Sequence, residues 1–147
     1  MAYGKISQHY NRTSIETAGK LDLIVMCYEK SIQLLKQAKD HYEKNEIEKK
    51  ARKMQKALDI INELKGCLNM EKGGQIAQNL DSIYTYVNRR LLLGDIQSDF
   101  SVFEECVNIL GELKSAWEEI SASEEKTQTA VMDSAEHRIK DGAQIAA

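Results

Sequence analysis

The chain has 147 residues, 42% apolar and 29% charged, with no proline and a formal net charge of −3. That length suits one domain able to close its core without a metal or disulfide staple. The acidic balance argues against a nucleic-acid binder: only Lys49, Lys50, Arg52 and Lys53 cluster without interleaved acids, and a helix spreads them around its cylinder. No run reaches the ~18–20 apolar residues of a membrane span, and the polar start MAYGKISQHYNRTS lacks a secretory apolar region.

Residues 1–17 carry Tyr3, Ile6, Tyr10 and Ile15 among polar residues. This is an N-terminal arm, flexible or docked through its tyrosines, with docking favoured. The first helix is expected from Thr17 or Lys20 to about Lys44. Leu21, Val25, Tyr28, Ile32, Leu35 and Tyr42 form one stripe, with Leu23, Cys27, Leu34 and Ala38 beside it. Its first half is apolar on nearly all sides, so it either runs through the centre of the molecule or shows a second face to a partner.

Asn45 and Glu48 read as a capping box opening a second helix from about Glu46 to Leu68, with Met54, Leu58, Ile61 and Leu68 on its apolar side. Asn69 to Gly74 reads as the next turn, its glycines free to take positive φ. The third helix then runs to about Leu93, with Ile76, Leu80, Ile83, Val87 and Leu91 in one stripe and Ala77, Tyr84 and Leu92 widening it. Gly94 reads as its C-terminal cap. The fourth helix, from about Ser98 to Ser121, repeats Phe103, Cys106, Leu110, Leu113, Trp117 and Ile120 in heptad-like steps, which predicts near-antiparallel packing. Residues 122–147, where Val131, Ala135, Ile139 and Ala143 are the sparse apolar positions, read as a flexible or weakly helical tail. The expectation is therefore an all-α, antiparallel up-down four-helix bundle over residues 18–121, between an N-terminal arm and a flexible C-terminal tail.

Chemistry is sparse. A di-iron carboxylate bundle needs Glu-x-x-His pairs, and His9, His41 and His137 each lack a Glu three positions earlier. Asp81, Glu104, Glu105 and Glu112 fall on outward faces. Cys27, Cys67 and Cys106 are widely spaced, with no C-x-x-C among them, and read as free thiols filling the core; reduced thiols suit a cytoplasmic location. Gly73-Gly74 lacks the rest of a phosphate loop. No enzyme, metal or cofactor is expected. What remains is an interaction protein whose surface is the extra apolar breadth of the first and third helices, unless that breadth only fills the core.

Thr17-Ala18, the run Leu23 to Tyr28 with Ile32, the string LNMEKGGQIAQNL from Leu68 to Leu80, Ile83-Tyr84-Thr85-Tyr86, Arg89-Arg90-Leu91 and the helix ending Leu110 to Trp117 resemble the flagellar secretion chaperone family, FliS. The resemblance spans roughly Tyr10 to Ile120. It implies a cytoplasmic chaperone that binds the C-terminal region of flagellin, prevents premature polymerisation and aids delivery to the type III flagellar export apparatus, with export gate components as further partners. The family usually follows Thr-Ala with Ser or Asp and then Pro. Here Gly19-Lys20 follow, so the first helix loses its side-chain cap, at about 1 kcal/mol.

On this reading the partner groove comprises Tyr10 from the arm, Leu23, Met26 and Cys27 from the first helix, and Ile76, Ala77, Leu80, Ile83, Tyr84 and Val87 from the third. At least half of them are expected to keep a side chain open to solvent or covered only by the arm. A monomer is favoured. The alternative is a self-associating bundle whose apolar breadth forms a homodimer seam.

Overall fold

A computed structural model describes residues 19–123. They form α1 (Lys20–Glu43), α2 (Ile47–Gly66), α3 (Met70–Gln97) and α4 (Ser101–Ser123). The expected arm, with Tyr10, and the expected tail beyond Ser123 lie outside the described residues.

Side-chain pairs fix the directions. The end of α1 meets the start of α4 through Tyr42 and Phe103, with ring centroids 5.8 Å apart, while earlier in α1 Glu29 meets Lys114 at 3.6 Å. The start of α2 meets the end of α3 through the Lys50–Asp95 ion pair, and its end meets the early part of α3 through Lys65–Asp81 at 3.1 Å. Arg90 of α3 reaches Glu105 of α4 at 2.8 Å. Sequential helices are antiparallel, as short connections favour, and the described residues are an all-α, up-down four-helix bundle.

Spacing accounts for the core. Tyr28, Leu34 and Leu35 of α1, Ile60, Ile61 and Leu64 of α2, Tyr84 and Leu91 of α3, and Phe103 and Leu110 of α4 are all nearly inaccessible, each set recurring at helical intervals. The greasy first half of α1 is resolved as the central alternative: Leu21, Leu23, Ile24, Cys27 and Tyr28 are buried, and α1 packs along both α2 and α4. By contrast α3 stands off, with few Cα atoms within 8 Å of α2 or α4.

Helix ends depart from the local signals. α1 starts behind Gly19, which offers no side-chain cap. Asn45 does not cap α2; it takes the left-handed conformation at φ 60°, and Glu46 occupies the cap position with its carboxylate turned to His41 Nδ1 at 2.9 Å. α3 begins before the glycines, because the Asn69 side chain accepts from the Lys72 backbone N–H at 2.9 Å. Gly74 then breaks the helix at φ 51° and ψ −128°, a conformation glycine adopts without steric cost. Gly94 does not end α3. The helix runs on to Gln97 and closes at Ser98, φ 56°, while Gly94 is buried where a Cβ would collide with the Val102 side chain.

Candidate functional site

The inward stripe of α3, Leu80, Tyr84, Val87 and Leu91, is buried, so residues one position away stand at its edge. Ile83 and Tyr86 lie there, one turn apart. On α4 the core stripe Phe103, Cys106, Leu110 and Trp117 leaves Ile109 and Leu113 in the same position, facing α3. Since α3 stands off α4, these edges enclose an open cleft of about 380 Å³ lined by Ser82, Ile83, Tyr86, Ile109, Glu112 and Leu113.

A polar clamp closes one end. The Tyr86 hydroxyl donates to Glu105 Oε2 at 2.5 Å, and Arg90 Nε donates to Glu105 Oε1 at 2.8 Å. The Tyr86 hydroxyl and then Arg90 hold the Glu105 carboxyl below its ordinary value; the same carboxylate raises the Tyr86 phenol. On the core side, Trp117 Nε1 donates to the Tyr28 hydroxyl at 3.1 Å, which is itself hydrogen-bonded to the Tyr84 hydroxyl. This chain of groups ties α1, α3 and α4 together.

The groove residues expected from sequence divide. Leu23, Cys27, Ala77, Leu80, Tyr84 and Val87 are buried. Met26 and Ile83 are half-buried, and Ile76 is 52% exposed. Three of the nine described are open or half-open; the arm, the other cover that the expectation allowed, lies outside the described residues. Tyr84 shows why the others are buried: its stripe points at Tyr28, so its hydroxyl is spent inside the bundle. Val87 likewise offers its carbonyl to the Cys106 thiol at 4.0 Å. Tyr10 lies outside the described residues. Only Ile83 of the expected set lines the cleft. Tyr86, Ile109 and Leu113, outside the expected set, line it as well; Tyr86 and Ile109 stand beside a stripe in the sequence and Leu113 lies on one.

The cleft is apolar. Its lining is carbon apart from Ser82, Glu112 and the Tyr86 hydroxyl. The three cysteines are buried and form no disulfide, and burial pushes the Cys27 and Cys106 thiols up to about 12, far from a reactive thiolate at neutral pH. Among the described residues, no group of His, Cys, Asp and Glu is placed to hold a metal ion. No described helix is long and apolar enough to cross a membrane. Further apolar side chains stand open on α3, including Leu92 at 50% and Ile96 at 79%, more than a simple core helix needs.

The described residues thus form a helical bundle with an open apolar cleft between α3 and α4. The chain belongs to the FliS family, described as "Flagellar protein FliS", which matches residues 2–124. It is similar to the flagellar secretion chaperone FliS of Salmonella typhimurium, 34% identical over 121 residues, 82% of this chain and 87% of that one. The flagellar secretion chaperone FliS of Vibrio cholerae is 32% identical over 117 residues, covering 77% and 86%. Pseudomonas aeruginosa FliSB, also named a flagellar secretion chaperone, is 34% identical over 121 residues, covering 80% and 96%.

Proposed function

We propose that this protein is a cytoplasmic flagellar export chaperone that holds the C-terminal segment of flagellin. The segment lies in the α3–α4 cleft and along the open face of α3, is kept from polymerising too early, and is delivered to the type III export apparatus and its gate. The observation that carries this reading is an open, carbon-lined cleft in a chain belonging to a family of secretion chaperones.

The mechanism needs no bond chemistry. An amphipathic cargo helix lays its apolar face into the groove, and Ile83, Tyr86, Ile109 and Leu113 replace the water or the neighbouring subunit it would otherwise meet. Ile76 extends the same edge towards the start of α3. Leu23, Leu80, Tyr84 and Val87 act from beneath by fixing the helices that carry these contacts. Ordering a flexible cargo offsets part of the gross binding energy, which keeps the complex releasable.

The test is co-purification of the full chain with the C-terminal ~50 residues of its cognate flagellin, a length able to wrap several helices. A 1:1 complex at micromolar concentration is expected, and Ile83→Glu and Leu113→Glu each weaken it by placing a charge against apolar cargo. Absence of a wild-type complex at that concentration overturns the reading. Sedimentation of the isolated chain is expected to show a monomer. A tight dimer that Ile83→Glu dissociates would instead assign the open face to a homodimer seam.

A further inference from the structure

Glu112 is the one acidic or basic residue among those lining the cleft. Glu112 is exposed on α4 and lines the cleft beside Leu113 and Ile109, yet it forms no ion pair among the described residues. The neighbouring charges are engaged: Glu105 by Arg90, and Lys114, two positions on, by Glu29 at 3.6 Å. Residues two apart on a helix do not face one another, so Lys114 is not placed to neutralise Glu112.

We propose that Glu112 determines cargo specificity, the cleft taking a single amphipathic helix that brings a Lys or Arg to this carboxylate. The proposal rests on the chaperone reading and names the chemistry its site selects. Two features define the occupant. A volume of about 380 Å³ between Ile83 and Tyr86 on one side and Ile109 and Leu113 on the other suits large apolar side chains one turn apart on one helix, the usual anchors of helix-in-groove recognition. Beside those anchors, cargo covering the cleft strips water from the Glu112 carboxylate. An opposite charge on the cargo offsets that loss, whereas an apolar or acidic residue there leaves a desolvated or repelled charge. Glu112 thereby fixes which helix enters and in which register.

Binding of the C-terminal flagellin segment to the full chain is measured by calorimetry at about 50 mM and about 500 mM NaCl, conditions that differ strongly in screening. The variants are Glu112→Gln, Glu112→Lys and, as a control for overall charge, Glu118→Gln, an exposed position on α4 that does not line the cleft. Glu112→Gln is expected to weaken binding several-fold and flatten its salt dependence, and Glu112→Lys to weaken it by roughly tenfold or more at low salt, while Glu118→Gln matches wild type. Changing each Lys and Arg of the cargo to Glu in turn should yield one substitution that weakens binding to wild type and restores binding to Glu112→Lys. A merely structural role for Glu112 would not produce that rescue. Wild-type binding undiminished in Glu112→Lys, or weakened equally by Glu118→Gln, overturns this inference and leaves the chaperone reading standing. No binding by the wild-type chain overturns both.

Discussion

Tyr28, Tyr84 and Trp117 are 0%, 0% and 5% exposed, and among the described residues their polar side-chain atoms pair with one another: Trp117 Nε1 donates to Tyr28, and Tyr28 shares a hydrogen bond with Tyr84. The trio holds one indole N–H, two hydroxyl protons and two hydroxyl oxygens, and Tyr28 sits in the middle. Tyr84→Phe removes a single hydrogen bond and leaves Trp117 its acceptor, a loss of about 1 kcal/mol. Tyr28→Phe removes both hydrogen bonds and strands the indole N–H and the Tyr84 hydroxyl in a dry core, a loss of about 3–4 kcal/mol. The double variant strands only the indole, so it loses less than the sum of the two, a coupling that a mutant cycle isolates. Urea unfolding followed by circular dichroism, with fluorescence of the one tryptophan as a second probe, measures all three. Tyr84→Phe should also bind the flagellin segment within about twofold of wild type, roughly 0.4 kcal/mol. A loss from Tyr84→Phe equal to or larger than that from Tyr28→Phe would refute the donor accounting. A fall in cargo affinity would show that the Tyr84 hydroxyl reaches the partner.

Asp95→Asn leaves the Lys50 ammonium, 7% exposed and 5.1 Å from the centre of the Tyr42 ring, without its carboxylate. This should cost about 2–3 kcal/mol, below the full buried-pair figure because Asp95 is partly open, whereas Lys50→Met should change stability by less than about 1 kcal/mol; urea midpoints in the reverse order would contradict the pairing. Gly94→Ala drives a methyl into Val102 and should destabilise by about 1–2 kcal/mol, the overpacking exceeding the gain in helix propensity. Combined with Val102→Ala it should lose less than the two single changes summed, and full additivity would argue against the contact. Burial raises the Cys27 and Cys106 thiols to about 12 from 9.0 and the Tyr28 phenol to about 12 from 10.0, and lifts Tyr84 as well. With each folded value above its unfolded one, this stability is complete below about pH 9 and drains as the pH climbs towards about 12. Urea midpoints should therefore fall between about pH 8.5 and about pH 11; a flat profile would show that these groups ionise alike in both states.

The helices were legible because apolar residues return every three or four positions and no proline interrupts them. Their ends were less so. Asn, Gly and Ser all tolerate the left-handed backbone, so Asn45 resembled a cap when it was a turn residue, and Gly94 resembled a terminus when the absence of its side chain served the approach of Val102, a residue on another helix. The Gly73-Gly74 pair did announce positive φ, at Gly74. Nothing local revealed that Asn69 would start the helix earlier and leave the glycine as an internal break. At the site, the resemblance pointed to the family and the third helix. Leu80, Val87 and Leu91 of the expected stripe, with Tyr84 beside it, are the residues buried against neighbouring helices. Ile76 and Ile83 belong to the same stripe yet stay open, as does Tyr86 beside it; periodicity does not separate the two groups, because how far α3 stands from α4 is a property of the assembled bundle.

The stand-off of α3 divides the bundle into a tightly packed part and a loosely packed one. α1 binds α2 and α4 along their lengths and forms a spine in which almost any replacement disturbs several neighbours. The outer edge of α3, with Ile76, Ile83 and Tyr86, meets that spine at few points, Tyr86 through Glu105 of α4. If cargo lies along this edge as proposed, exchanging its side chains should alter which cargo is accepted while folding stays in the keeping of the other helices.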